Sequence, residues 1–153
     1  MSHGAIRSIT RLSFLLSTVF LFAGPGSAQD AGVRAGVSVD PDQLYFGGHI
    51  ETSPLVDHIH FRPNVEVGFG EDVTLIAANM EFVYRTLTNR HGWGLYAGGG
   101  PALNIYMGDR NTNSELGVNF LVGVYQARGL FFEFKGGAMD SPYFKVGIGW
   151  TFR

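Results

Sequence analysis

The stretch HIHFRPNVEVGF, residues 58–69, alternates polar and apolar side chains along its whole length. Such a period of two is typical of a β-strand, because successive side chains point to opposite faces of the strand. Its polar face consists of His58, His60, Arg62, Asn64, Glu66 and Gly68. Its apolar face consists of Ile59, Phe61, Pro63, Val65, Val67 and Phe69. The fold depends on which of these two faces points outward.

Seven further segments alternate in the same way and are separated by turns. The eight predicted strands are residues 32–39, 44–52, 58–69, 73–86, 93–106, 115–125, 130–135 and 143–152, and the longest predicted loop is residues 108–114. Sequential strands with short links predict an all-β, antiparallel up-and-down sheet. We expect this sheet to close into an eight-stranded transmembrane barrel, because closure removes exposed strand edges.

Residues 1–28 are predicted to be a cleavable signal peptide. Arg7 and Arg11 precede an apolar run at residues 12–23, and Gly26 and Ala28 are small residues at the positions before a cleavage site. This order is typical of secretory signals. The apolar run is shorter than the about 20 residues that a membrane-spanning helix needs. We therefore expect residues 29–153 to form one exported barrel domain.

Three observations favour an apolar outer wall. Most of the predicted strands have at least nine residues, and a tilted strand needs about 9–11 residues to cross a bilayer. Their apolar faces carry no charge, as expected where Arg or Lys would cost about 2–4 kcal/mol at mid-membrane. Glycines on the polar faces make room inside a narrow barrel for bulky inward neighbours. These neighbours are predicted to be Tyr45, Tyr96, Tyr106, Phe131 and Tyr143.

An apolar outer wall assigns a role to each face. The residues predicted to meet lipid are Ile59, Phe61, Val65, Val67, Phe69, Leu116, Val118, Phe120, Val122, Phe144, Val146, Ile148, Trp150 and Phe152. The residues predicted to form a polar network in the lumen are Arg34, Glu51, Arg62, Glu66, Glu81, Arg85, Glu133, Lys135 and Lys145. Their near balance of charge is expected, because unpaired buried charges are strongly unfavourable. Pro63 has no N–H, so we expect a bulge or local irregularity there.

The signal peptide, the eight strands and the C-terminal segment GIGWTFR, residues 147–153, together resemble small bacterial outer-membrane proteins of the OmpA/OmpX-like type. The resemblance implies an integral protein of the Gram-negative outer membrane that contacts outer-membrane lipids and has both ends in the periplasm. It also implies that the barrel-assembly machinery recognises the C-terminal strand. Family members usually end in an aromatic residue, whereas here Phe152 is followed by Arg153.

The composition argues against several other functions. The chain has no cysteine, which excludes disulfides and thiol nucleophiles. Its net charge of −2, without a long basic run, argues against nucleic-acid binding. Ser114 and Ser141 are predicted at the opposite end of the barrel from His58 and His60, beyond the hydrogen-bond reach that a nucleophile and its base require. We therefore predict no catalytic residues and no cofactor.

Three histidines are the candidates for a metal site. His58 and His60 share one strand face, and His49 lies on the neighbouring strand. Two histidines with a carboxylate are a known type of metal site. Hydrogen bonding in the lumen is the commoner role for such residues, so no metal is predicted.

The function predicted from these patterns is a non-enzymatic outer-membrane barrel with an envelope-structural or lipid-contact role and a plugged interior. An eight-stranded barrel has an interior just wide enough for its own side chains. Two alternatives stay open. One is a narrow, gated, porin-like pore, and the other is a secreted lipocalin-like carrier of an apolar ligand, whose strands would show the same alternation with the apolar face inside.

Overall fold

The structure, a computed structural model, describes residues 29–71, 73–108 and 110–153. It contains eight strands: β1 (Gln29–Val39), β2 (Gln43–Thr52), β3 (Ile59–Phe69), β4 (Val73–Arg85), β5 (Trp93–Gly108), β6 (Thr112–Gln126), β7 (Leu130–Met139) and β8 (Phe144–Phe152). Each strand pairs antiparallel with the next, and β1 pairs with β8, so the sheet closes into a barrel. The predicted eight-stranded antiparallel up-and-down barrel is confirmed. The predicted signal peptide at residues 1–28 lies outside the described residues.

The barrel has two distinct ends. At one end, which we call the terminal end, Ala31 on β1 pairs with Phe152 on β8. The connections that follow β2, β4 and β6 also lie there, because each strand reverses the direction of the one before it. The connections after β1, β3, β5 and β7 lie at the opposite end, which we call the far end. The described residues include no helix that is long and apolar enough to span a membrane.

Side chains alternate between the interior and the outer wall of the barrel. On β3, for example, Arg62 and Asn64 are buried whereas Val65 is exposed. No charged side chain occupies an outward position on any of the eight strands. The interior apolar cluster is small and consists of Val83, Tyr96, Leu121, Tyr125 and Phe131. The polar faces of the strands therefore point into the barrel.

Two residues predicted to point inward lie outside the barrel. His58 precedes β3 with a φ of 66°, and it is exposed beside the outward ring of Tyr84. Tyr143 precedes β8 and is 75% exposed. Both predictions extended the alternation of a strand by one residue, into the turn that precedes the strand. A turn residue no longer follows the period of two, because its backbone is not extended.

The hairpin between β5 and β6 is tighter than predicted. Residues 108–114 were expected to form the longest loop, but the pairing continues to Met107 opposite Thr112. Gly108 N–H also donates to the Asn111 carbonyl at 3.0 Å. The polar composition of these residues predicted a loop, whereas pairing of the two backbones extends both strands. On the β7 side, pairing with β6 begins only at Gly117, so the tip of the hairpin projects beyond β7.

Two prolines interrupt the strand pairing in the barrel wall. Beside Pro63, the pairing of β3 with β2 stops at Asn64 opposite His49. Pairing of β3 with β4 continues through Pro63 without a change of register, so there is no bulge on that side. The irregularity predicted at Pro63 is therefore confirmed as a break in one ladder. A second break, between β4 and β5, lies opposite Pro101 and was not predicted.

Inward glycines make room for three large rings, as expected. A Cβ added to Gly36 or Gly147 would collide with the Tyr45 hydroxyl. A Cβ on Gly149 would likewise meet the ring of Phe131, and one on Gly123 would meet the ring of Tyr96. The prediction that glycines admit bulky inward neighbours is thus confirmed for these three aromatic residues.

Gly98→Ala is expected to destabilise the barrel, whereas Gly136→Ala is not. A Cβ on Gly98 would overlap the carbonyl oxygen of Phe82 in the adjacent strand, but a Cβ on Gly136 would meet nothing within 4 Å. We expect Gly98→Ala to lower the free energy of unfolding by about 1–3 kcal/mol, because backbone must shift to admit the methyl group. Urea unfolding of both variants in detergent micelles measures the difference. Equal stabilities would contradict this account of the wall.

Candidate functional site: a buried ion-pair network

Seven charged side chains meet inside the barrel. They extend from β1, β3, β4, β7 and β8, where each occupies an inward position. All seven are at most 4% exposed: Arg34, Arg62, Glu66, Glu81, Glu133, Lys135 and Lys145. We call them the central network.

Glu133 on β7 joins the two arginines of the central network. Its Oε1 accepts a hydrogen bond from Arg34 Nη1 at 3.0 Å. Its Oε2 accepts one from Arg62 Nη2 and another from the Tyr96 hydroxyl at 2.8 Å. Hydrogen bonds to ionised groups are shorter and stronger than those between neutral groups. This carboxylate therefore connects side chains from four strands across the barrel.

Glu66 and Glu81 hold the two lysines. Lys135 Nζ lies 2.7 Å from Glu66 Oε1 and 2.6 Å from Glu81 Oε1. Lys145 Nζ lies 2.7 Å from Glu66 Oε2, and Arg62 Nη2 donates to Glu81 Oε2 at 3.3 Å. Each carboxylate of the central network therefore contacts at least two cations.

Aromatic rings cover the arginines. Arg62 Cζ lies 5.0 Å from the centroid of the Tyr96 ring, and Arg34 Cζ lies 5.5 Å from that of Phe131. A cation within about 6 Å of a ring face is attracted by the quadrupole of the ring. The rings for which the inward glycines make room therefore fill the lumen and also stabilise the buried positive charges.

A smaller group of charges lies towards the terminal end. Arg85 Nη1 is 2.6 Å from Glu51 Oε1, and His60 Nδ1 is 3.6 Å from the same oxygen. The Arg85 guanidinium lies 4.5 Å from the Tyr125 ring centroid. With this group, all nine residues proposed from the sequence for the lumenal network are buried. They comprise five cations and four carboxylates, so one positive charge is in excess.

An asparagine chain also crosses the interior. Asn79 Nδ2 donates to Asn64 Oδ1 at 2.7 Å, and Asn119 Nδ2 donates to Asn79 Oδ1 at 2.7 Å. The three residues come from β3, β4 and β6. The alternation of the strands puts all three on inward faces, but it does not predict that they pair. Their alignment depends on the register between strands, for which the sequence carries no local signal.

The three histidines considered for a metal site have separate environments. His49 is buried with Nε2 3.1 Å from Thr151 Oγ1. His60 Nδ1 donates to the Thr52 carbonyl at 2.9 Å, and His58 lies outside the barrel. Within residues 29–71, 73–108 and 110–153, no group of three or more His, Cys, Asp or Glu side chains is arranged to hold a metal ion.

The hydroxyls of Ser38 and Ser141 form hydrogen bonds with backbone or amide groups. Ser38 Oγ donates to the Pro41 carbonyl at 2.9 Å. Ser141 Oγ accepts a hydrogen bond from Asn104 Nδ2 at 3.1 Å. Ser114, at an outward position of β6, is exposed. These contacts do not activate a hydroxyl, since activation needs an adjacent general base.

The residues predicted to meet lipid all lie on the outer wall. Each is exposed or half-buried. The most exposed among them include Leu116, Phe120, Phe152 and Val122. Their contact with lipid stays a prediction, whereas their outward direction follows from the barrel register.

The sequence matches no known family profile and no curated protein. Among solved structures, the chain is similar to the N-terminal β-barrel domain of OprF from Pseudomonas aeruginosa. The TM-score is 0.63 with 14% sequence identity, and the match covers 81% of this chain and 95% of that domain. The chain has an OmpA-like barrel fold. The fold-level resemblance drawn from the sequence is therefore confirmed, and the OmpA-like barrel here encloses the central network.

Glu66→Gln is expected to destabilise the barrel strongly, because it leaves two buried lysines short of a counter-charge. Removing one partner of a buried ion pair costs about 3–5 kcal/mol. The matched control is Glu71→Gln at the exposed far end, which we expect to change stability by less than about 0.5 kcal/mol. Urea unfolding in micelles measures both values.

The double variant Glu66→Gln with Lys145→Met tests whether Glu66→Gln is unstable because it leaves a buried lysine without its carboxylate. It removes Lys145 together with the carboxylate that this lysine contacts, so it should be more stable than Glu66→Gln alone. A Glu66→Gln variant as stable as the unaltered protein would show that the network is energetically unimportant.

Proposed function

We propose that the protein is a non-enzymatic, integral outer-membrane β-barrel with an envelope-structural or lipid-contact role. The observation that carries this proposal is the direction of the two strand faces. Nine charged side chains are buried in the barrel, and the outward strand positions carry no charge. A protein in water gains from the opposite arrangement, because burying apolar surface is the main stabilising term of its fold. In lipid, an apolar outer wall is already in an apolar environment, so it does not have to be buried against another part of the protein.

The dimensions of the strands support a membrane setting. The shortest strands, β8, β7 and β2, have 9, 10 and 10 residues, in the range of about 9–11 residues that a tilted strand needs to cross a bilayer. Trp150 and Tyr84 face outward near the terminal end, and Tyr143 is exposed at the far end. Trp and Tyr favour the two interfaces of a membrane, where the ring meets lipid and the polar atom meets water.

The signal peptide and the last strand would direct the export of the chain and the assembly of the barrel. The signal peptide predicted at residues 1–28 would direct the chain out of the cytoplasm. The outer face of β8 carries Phe144, Val146, Ile148, Trp150 and Phe152 in an unbroken apolar row. We propose that this strand is the segment that the barrel-assembly machinery recognises and that outer-membrane lipids surround the finished wall.

The interior argues against a lipocalin-like carrier. An apolar ligand needs a cavity lined mainly by apolar side chains. Here the middle of the barrel holds the central network, and the largest fully buried side chains include Arg62, Lys135 and Glu66. Placing an apolar ligand there would break ion pairs and leave charges buried without partners.

A narrow gated pore is the second candidate, and the alternative partners of Lys135 favour it. Its Nζ lies 2.7, 2.6 and 3.5 Å from oxygens of Glu66, Glu81 and Glu133. A cation with several carboxylates in reach can change partners between two conformations of similar energy. In the arrangement seen, the network fills the middle of the lumen, so a conducting state requires such an exchange.

Phe120→Arg tests the membrane setting. Phe120 is 61% exposed near the middle of β6, and an arginine facing lipid at mid-membrane costs about 2–4 kcal/mol. Thr112→Arg, at the exposed end of the same strand, is the matched control and should cost at most about 1 kcal/mol. Urea unfolding in lipid vesicles measures the stabilities.

Cell fractionation with heat-modifiable gel migration then reports where the unaltered protein resides. We expect it in the outer-membrane fraction, with a change of migration after boiling. A detergent-independent soluble protein whose stability is unaffected by Phe120→Arg would overturn the proposed function.

Planar-bilayer recordings separate the two membrane candidates. We expect no persistent channel openings from the unaltered protein, because the central network fills the middle of the lumen. Phe131→Ala removes a ring that packs on both arginines of the central network and should raise conductance if the network is what blocks ions. Persistent opening of the unaltered protein would favour the pore over the structural role.

A further inference from the structure

An apolar groove of about 590 Å³ lies in the outer wall of the barrel. Its lining includes inward residues such as Asn64 and Asn79, and it also includes six outward residues of β3, β4 and β5: Val65, Ile76, Ala78, Met80, Leu103 and Ile105. Four of these six outward side chains are half-buried, whereas the outward residues Phe120 and Leu95 elsewhere on the wall are 61% and 59% exposed. The wall is therefore concave here. The volume falls in the range of about 300–1,000 Å³ that is typical of small-molecule sites.

The groove lies where the two prolines interrupt the strand pairing. Pro63 is opposite Met80 across β3 and β4. The register between β4 and β5 would also place Pro101 opposite Met80, on its other side, where the pairing is broken. Both prolines line the groove. Together with the small side chain of Ala78, they leave the space that larger outward residues fill elsewhere.

The prolines also leave two backbone carbonyls without their usual donors. The register of β2 with β3 places Ile50 opposite Pro63, one step beyond the end of that ladder. A proline has no N–H, so the carbonyls of Ile50 and Met80 receive no hydrogen bond from the residues opposite them. The Met80 oxygen faces β5, since a Cβ on Gly100 would collide with it. Both carbonyls thus lie in the wall beneath an apolar groove.

A membrane gives these carbonyls no water to bond. Inside the hydrocarbon layer, backbone polar groups must find partners within the protein or a bound group. An ordinary acyl chain would fill the groove but would leave the carbonyls unsatisfied. A chain that carries a hydroxyl group would satisfy one of them, because a hydroxyl donates one hydrogen bond.

We propose that this groove is a binding site for one lipid acyl chain that bears a hydroxyl group near its middle. The proposal rests on the proposed membrane location, because only there does the outer wall meet acyl chains. A mid-chain hydroxyl suits the depth of the site, since Pro101 lies near the middle of β5. The apolar lining contacts the hydrocarbon, and the carbonyl of either Ile50 or Met80 accepts the single hydrogen bond that the hydroxyl donates.

Competition between two fatty acids tests the proposal. The mature protein is purified in detergent micelles and incubated with equal amounts of octadecanoic acid and 12-hydroxyoctadecanoic acid. Native mass spectrometry then counts the bound fatty acids. We expect one bound acid per chain and about a fivefold preference for the hydroxylated acid, the ratio that one hydrogen bond of about 1 kcal/mol provides. Equal binding of the two acids, or a protein dimer in place of an adduct, would overturn the proposal.

Two pairs of variants locate the binding. Ala78→Phe fills the groove and is expected to reduce binding of both acids at least about tenfold. Ala97→Phe, at an outward position of β5 that does not line the groove, is the matched control and should bind like the unaltered protein. Loss of binding in Ala97→Phe, or retention in Ala78→Phe, counts against this location.

Pro63→Ala combined with Pro101→Ala tests the hydrogen bond itself. The new N–H groups can donate to the carbonyls of Ile50 and Met80, so the preference for the hydroxylated acid should fall to about one, with octadecanoic acid still bound. Heat-modifiable gel migration checks that the variant is folded. An undiminished preference would overturn the assignment of the carbonyls.

Fractionation of the same cells distinguishes the two possible failures. A membrane-embedded protein that binds both acids equally would leave the proposed function standing and overturn only the groove as a hydroxyacyl site. A protein recovered in the soluble fraction would overturn the proposed function and, with it, this inference.

Discussion

The whole structure depends on the pairing of the charged side chains that are buried inside the barrel. Nine charged side chains are buried in the barrel, and an uncompensated buried charge is among the most unfavourable features a protein can contain. The pairs join strands that are distant in the chain: Arg34 and Glu133 are 99 residues apart. Only a closed barrel in one register brings these partners together. The network therefore favours a single arrangement of the strands.

The filled interior determines what the outer wall must be. Polar side chains, rings and the glycines that admit them occupy most of the lumen, so most of the large apolar residues point outward. Phe120, Val122 and Trp150 illustrate the result, since each is exposed on the wall. Such a surface is unfavourable in water and favourable in lipid. The interior network and the proposed membrane location are thus two consequences of one pattern.

The proline breaks are the exception to an otherwise continuous wall. A closed barrel removes strand edges and satisfies the backbone between neighbours, but Pro63 and Pro101 each remove one donor. Both lie beside Met80, so the two defects coincide rather than weaken separate parts of the barrel. The groove above them is apolar, and its lining includes Ile50 and Met80, whose registers place a proline opposite each of them. That combination distinguishes this patch from the rest of the outer wall.

The sequence by itself determined the strands and the face on which each side chain lies. A period of two is a local property, so the alternation within β3 alone places Arg62 inside and Phe61 outside. Local patterns failed where strands end, as at His58 and Tyr143, because turn backbone breaks the period. Only the tertiary structure decided which charges pair, that asparagines from three strands align, and that two distant prolines meet at Met80. Those contacts depend on register between strands, which is set by the packing of the whole barrel and leaves no signal in a single segment.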